Sequence, residues 1–157
     1  MATRANSASV SQSVASTVET RERQAVAPWT EEIAGRRIIR LSNVSYLPAS
    51  EGKKATFGGI MAGYVDPVTG QPCHFEGRGG EIIAGGCPVR LFGGDAEQIL
   101  AQLGGIRAGE QLLLEVTPDA TAAVYRKDDG EVAYLALSGS ALPGGYRWAP
   151  TIAMAAF

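Results

Sequence analysis

Histidine and cysteine are nearly absent from this sequence, which contains His74, Cys73 and Cys87 and no others of either type. Two cysteines cannot build a disulfide framework, and a single histidine leaves little from which to assemble a Ser-His-Asp or Cys-His catalytic site. With Glu76 as a fourth ligand these residues would form a zinc set, but their spacing matches no common site. The segments GRGG and FGGD lack the Lys-Ser/Thr pair of a phosphate loop. We therefore expect no enzyme, no cofactor and no metal.

Long apolar runs are also missing. No stretch of about 18 apolar residues is present, which argues against a membrane span, and the N-terminal segment has no apolar core of the kind a signal peptide needs. We therefore expect a cytoplasmic protein. The net charge of −2 gives no bulk attraction to nucleic acid. A basic groove on an acidic protein remains compatible with that balance.

Hydrophobic residues make up 45% of the 157 residues, enough for one packed core. Residues 1–33 hold no sustained period of 2 or 3.6, and we expect a disordered tail there. Residues 34–143 carry the periodic segments of one domain, and residues 144–157 have the character of an irregular tail.

The predicted elements alternate apolar runs with turn residues, and only one of them has helical spacing. Asp95 is the expected N-cap of a helix near 95–103, which the Gly104-Gly105 pair ends. Strands are expected at 36–48, at 53–65 with a bulge at Gly58-Gly59, and at 88–92, 110–116, 121–127 and 131–142, with a glycine-rich loop or loose hairpin over 73–86. This order of elements, three strands, one helix and further strands, predicts an all-β chain. The specific fold that it predicts is the OB fold, a five-stranded barrel with one helix between strands 3 and 4. A β-sandwich is the alternative.

Four segments, in order, resemble the bacterial single-stranded DNA-binding proteins over residues 36–142. Three of the segments are IIRLSNVS at 38–45 with Asn43, ATFGGIMAGYVDPVTGQ at 55–71 and YRKDDGEVAYLALSGSAL at 125–142. The fourth is a strand-helix-strand signature made of Val89 to Gly93, Ala96-Glu97, Arg107-Ala108-Gly109 and Gln111 to Val116. The resemblance implies an OB fold that binds single-stranded DNA in replication or recombination. No Asp or Glu follows Glu131, so the acidic tip by which that family recruits replication proteins has no counterpart. A divergent relative from a plasmid, phage or mobile element fits this departure.

Base stacking needs exposed aromatic rings, and the candidates are Tyr64, Phe92 and Tyr125. The resemblance places Tyr64 and Phe92 at stacking positions of the family, and Tyr125 where the family usually has Trp. Packing in the barrel is the alternative for each ring, since strand aromatics commonly serve the core.

Phosphate contacts need cations, and the candidates are Arg36, Arg40, Lys53, Lys54, Arg90, Arg126 and Lys127. Strand alternation puts Arg90 on the face of Phe92, an arrangement that suits a nucleotide better than a core. Arg126 and Lys127 have a second interpretation as solvated charge near a hairpin turn.

Two function classes follow from these residues. The first is a single-stranded DNA-binding protein acting in replication, recombination or mobile-element transfer, with replication proteins as further candidate partners. The second is an OB-fold module that docks a protein and binds nucleic acid weakly or not at all. We also expect a homo-oligomer, a dimer or tetramer, joined through strand 36–46 as an exposed sheet edge.

Overall fold

The computed structural model describes residues 22–76, 80 and 82–150. Its elements are β1 (Arg23–Ala25), β2 (Glu31–Ile33), β3 (Arg36–Leu47), β4 (Thr56–Met61), β5 (His74–Glu76), β6 (Ile82–Ala84), β7 (Cys87–Phe92), α1 (Gly94–Leu103), β8 (Glu110–Val116), β9 (Thr121–Arg126), β10 (Val132–Ala136) and β11 (Tyr146–Pro150), with 3-10 turns at Ala27–Trp29 and Gly139–Ala141. The prediction of an all-β chain with one α-helix is confirmed for this part of the chain. None of its helices has the length and apolar character needed to cross a membrane.

Nine strands form one sheet with the path β1-β9-β10-β7-β4-β3-β8-β11, and β2 pairs with β3. All of the neighbours pair antiparallel except β7 and β10, which run parallel. The hydrogen-bonded path does not close on itself, and β5 and β6 form a separate two-stranded sheet. The predicted loose hairpin over 73–86 is confirmed by that β5–β6 pair.

The core is built from the inward-facing residues of these strands. Alternation in β7 buries Cys87, Val89 and Leu91 and leaves the intervening side chains partly exposed. Helix α1 packs on β4 and β7 and contributes Ala96 and Ile99 to the core. Apolar burial on this scale is the main stabilising contribution to the fold.

The predicted C-terminal end of α1 is observed, but its predicted N-cap is not. Gly104 adopts φ +76° and donates its N–H to the Leu100 carbonyl at 3.0 Å, which confirms the predicted stop. The prediction of Asp95 as N-cap is wrong, because the N-cap is Gly93 and Asp95 lies inside the first turn. The Asp95 carboxylate instead accepts a hydrogen bond from the Gly139 N–H at 2.9 Å. It therefore ties α1 to the 139–141 turn.

The bulge expected at Gly58-Gly59 of β4 lies instead in β3, the strand that pairs with it. The pairing of β3 with β4 shifts register between Ser42 and Ser45, where Asn43 has φ +52°. A Cβ on Gly59 would lie 2.8 Å from the Ser42 carbonyl oxygen, so β3 and β4 approach closely only because this residue is glycine.

Ordered strands extend into both predicted tails. Residues 23–33 form β1, a 3-10 turn and β2, and Val26 is 1% exposed with its N–H donating to the Ala120 carbonyl at 3.0 Å. At the other end, β11 pairs with β8 over its whole length. The remaining parts of the predicted tails, residues 1–21 and 151–157, lie outside the described residues.

Strand 36–46, through which self-association is predicted, pairs with three other strands of the same chain. Residues 36–38 pair with β2, residues 37–41 with β8 and residues 42–47 with β4. Residues 37 and 38 have partners on both sides, and the rest of the strand is paired on one side. The predicted dimer or tetramer stays a prediction.

Candidate nucleic-acid interface

Three aromatic rings and one guanidinium gather on the outer face of β7, β10 and β9. Tyr125 and Tyr134 are stacked with centroids 4.8 Å apart and planes 18° apart. Phe92 meets Tyr134 edge-on at 5.8 Å, and Cζ of Arg90 lies over the Tyr134 ring, 4.7 Å from its centroid. We call these four residues the aromatic cluster. The predicted juxtaposition of Arg90 and Phe92 on one strand face is confirmed by the burial alternation in β7.

Tyr134 is the member that the sequence did not single out. A register shift between Val132 and Tyr134 sets Tyr134 directly opposite Tyr125. Without that extra residue, regular pairing from the Arg126–Val132 pair would set Ala133 there. Strict alternation would put Tyr134 on the face of the buried Val132, so its outward position depends on the register shift between the two residues.

Three of the seven phosphate candidates have no carboxylate partner among the described residues. Among the described residues, Arg90, Lys53 and Lys54 make no ion pair. Lys54 is exposed, and its Cδ lies 3.8 Å from the position a Cβ on Gly93 would take, next to Phe92 in the chain. The tight turn between β3 and β4 carries Lys53 at the same end of β4. Arg90 therefore belongs to the aromatic cluster, and Lys54 lies near the end of β7 that carries Phe92.

The other four phosphate candidates are each held by a protein carboxylate. Arg36 pairs with Glu115 at 3.6 Å, and Lys127 pairs with Glu131 at 3.7 Å. Arg40 donates two hydrogen bonds of 2.7 Å to Glu31, which raises the pKa of Arg40. The exposed pairs of Arg36 and Lys127 contribute about 1 kcal/mol or less, so both residues stay candidates for phosphate contact, whereas Arg40 is held by two short hydrogen bonds. For Lys127, 57% exposed, the alternative interpretation as solvated turn charge fits best.

Arg126, predicted to contact phosphate, is the centre of a partly buried ion cluster. Its guanidinium, 12% exposed, donates to the Glu22 carboxylate at 2.9 and 3.0 Å and to the Asp66 carboxylate at 2.6 and 3.0 Å. It also donates to the Gly130 carbonyl at 2.9 Å. Hydrogen bonds from Arg126 lower the pKa of both carboxyls, and those carboxylates raise the pKa of Arg126. We call Arg126, Glu22 and Asp66 the Arg126 hub.

The ring of Tyr64, predicted to stack on a base, lies in the core, as the alternative interpretation of this residue expected. The side chain is 0% exposed, its hydroxyl donates to Oε1 of Gln24 at 3.0 Å, and its ring meets Trp29 edge-on at 4.8 Å. Burial raises the pKa of the phenol. The chain leaves β4 at Met61, and the Tyr64 N–H then bonds to the Gly85 carbonyl at 2.8 Å, which holds the residue under the sheet.

The cysteines and the histidine belong to no metal-ligand group in the part of the chain that is described. Burial raises the pKa of both thiols, Cys87 being fully buried and Cys73 partly so. No group of three or more candidate metal ligands comes together within residues 22–76, 80 and 82–150. Neither thiol has the lowered pKa that nucleophilic cysteines require.

No protein-family model, curated protein or solved structure matches this chain. The arrangement of its own side chains therefore carries the functional argument.

Proposed function

We propose that the chain binds single-stranded DNA on the outer face of β4, β7, β10 and β9, as a binding protein of replication, recombination or mobile-element transfer. The observation that carries this proposal is the aromatic cluster, which holds a guanidinium with no carboxylate partner among the described residues. Flat rings stack on bases of any sequence, at about 1–3 kcal/mol per base, and free cations contact the backbone. Neither group needs this arrangement for packing, because the core lies on the opposite face of β7.

We also propose that the strands make an OB barrel. In that fold strand 1 pairs with strands 2 and 4, and strand 5 lies between strands 3 and 4. The pairs β3–β4, β4–β7, β3–β8, β7–β10 and β10–β9 support this order if β8 and β9 together count as strand 4, interrupted at 117–120. OB folds bind oligonucleotides on the face of strands 2 and 3 and on the loop between strands 4 and 5. Those positions correspond to β4, β7 and the β9–β10 hairpin, where the aromatic cluster lies.

The proposal is tested by fluorescence anisotropy with a labelled oligo-dT at two salt concentrations. We expect the wild-type chain to bind and Phe92→Ala to weaken binding by about 1–3 kcal/mol with the fold intact. Phe75→Ala is the matched control, since Phe75 is also half-buried but lies on the separate β5–β6 sheet. If Phe92 instead serves the core, its loss costs about 3–5 kcal/mol of stability, and binding falls only because the chain unfolds.

A second pair of variants tests the electrostatic part. Removing a phosphate contact flattens the dependence of log K on log salt by about 0.7 on a single strand, so we expect Lys54→Ala to do this. Arg147 on β11 also lacks an ion pair among the described residues, and Arg147→Ala should leave the slope unchanged. A folded wild-type chain that shows no binding would refute the proposal and favour the protein-docking module.

A further inference from the structure

Strand β1 lies outside the five strands of the proposed barrel and extends the sheet next to β9. It pairs with β9 so that Arg23 lies opposite Ala123. The neighbours of Ala123 in the chain, Ala122 and Val124, are buried, so Ala123 points outward. Because cross-strand partners share a face of the sheet, Arg23 lies on the face that carries the aromatic cluster.

The next residue of β1 agrees with this orientation. Gln24 points into the core, where its side chain accepts a hydrogen bond from the Tyr64 hydroxyl at 3.0 Å. Successive side chains of a strand point to opposite faces, so Arg23 points away from the core. The residue is exposed.

Arg23 is held in place by neutral acceptors. Its Nε donates to Oγ1 of Thr121 at 3.0 Å, and its Nη2 donates to the Thr121 carbonyl at 3.3 Å. Within the described part of the chain it makes no ion pair. The two hydrogen bonds therefore position a cation on the outer face without neutralising its charge.

A row of cross-strand partners connects Arg23 to the aromatic cluster. Arg23 is opposite Ala123, Ala123 is opposite Ala136, and Ala136 pairs with Arg90. Three strand spacings separate the two arginines, about 14 Å along the sheet. The two residues between them are alanines, so this row contains no carboxylate that would repel a nucleic-acid backbone.

We propose that Arg23 contacts a backbone phosphate of the bound strand, beyond the nucleotides that the aromatic cluster holds, so that β1 extends the DNA-binding face by one strand. A guanidinium forms strong, charge-assisted hydrogen bonds to phosphate oxygens. The bonds to Thr121 use Nε and Nη2 and leave Nη1 for that contact. This inference rests on the proposed function and adds a contact made by a strand outside the barrel.

The salt dependence of oligo-dT binding tests the contact. Loss of one phosphate contact on a single strand flattens the slope of log K against log salt by about 0.7, so we expect this change in Arg23→Gln. Arg23→Lys keeps the charge and should keep the wild-type slope. Arg147→Gln is the matched control, because Arg147 on β11 is also exposed and makes no ion pair among the described residues. Circular dichroism confirms that each variant remains folded.

Two results of this assay overturn the inference. A wild-type slope in Arg23→Gln would mean that Arg23 only holds β1 on β9. Equal flattening in Arg23→Gln and Arg147→Gln would mean that the slope reports the total charge of the protein.

A series of oligo-dT lengths tests the position of the contact. The series covers about 4 to 16 nucleotides, the range of site sizes of OB folds. Because Arg23 lies at the border of the face, Arg23→Gln should bind the shortest oligomer as the wild type does and the longer ones more weakly. A loss of the same factor at every length overturns the inference. A wild-type chain that does not bind overturns the proposed function as well, so the two failures are distinguishable.

Discussion

The substitution Arg126→Met tests whether this arginine stabilises the fold or contacts the phosphates of the bound DNA. The substitution keeps a long apolar side chain but removes four charge-assisted contacts of 2.6–3.0 Å and the bond to the Gly130 carbonyl. The side chain of Asp66, 4% exposed, is left buried and without its partner, which costs about 3–5 kcal/mol. Glu22, 28% exposed, is screened by water and adds little.

Urea unfolding followed by tryptophan fluorescence measures the loss. With a slope of about 2 kcal/mol per molar urea, a 4 kcal/mol loss lowers the midpoint by about 2 M. Lys127→Met is the matched control, because the exposed pair of Lys127 with Glu131 contributes about 0.5 kcal/mol or less. In native buffer the folded Arg126→Met variant should keep the wild-type salt slope for oligo-dT. An unchanged midpoint together with a flatter salt slope would refute our assignment of Arg126 and restore it as a phosphate contact.

Two further predictions concern stability. Because Arg126 lowers the pKa of Asp66 and Glu22 in the folded chain, the unfolded chain binds protons first, so stability should fall as the pH drops below the ordinary carboxyl values of 3.8 and 4.5. Urea midpoints measured from pH 7 to pH 3 check this, and the midpoint should decline less with falling pH in Asp66→Asn than in the wild type. An equal decline in both proteins would mean that other carboxyl groups cause the pH dependence. Tyr64→Leu should lower stability by about 1–3 kcal/mol, because it loses the hydrogen bond to Gln24 and the contact with Trp29, while oligo-dT affinity per folded molecule stays unchanged. A selective loss of affinity in that variant would mean that Tyr64 reaches the ligand.

The segment from β7 through α1 to β8 was predictable because local signals agree there. PVRLF alternates, the pair Gly104-Gly105 allows the left-handed conformation that ends α1, and EQLLLEV is an apolar run bounded by turns. Each of these features depends on residues a few positions apart. The confirmed juxtaposition of Arg90 and Phe92 follows from the same short-range rule.

The elements that sequence analysis missed depend on distant partners. β1 and β2 have three residues each, too few to show a period, and they are ordered by pairing with β9 and β3. The inward position of Tyr64 follows from a bond to Gly85, and the place of Tyr134 follows from a one-residue register shift. Whether Arg126 faces phosphate or carboxylate is likewise decided by Glu22 and Asp66, far away in the chain.

The Arg126 hub also bears on the order of folding events. Its partners Glu22 and Asp66 are 104 and 60 residues from Arg126 along the chain. Closing loops of that length costs chain entropy before any contact compensates it, so such contacts form late. Interactions that are absent from the folding transition state act on the rate of unfolding rather than on the rate of folding. We therefore expect loss of the Arg126 hub to raise the rate of unfolding more than it lowers the rate of folding.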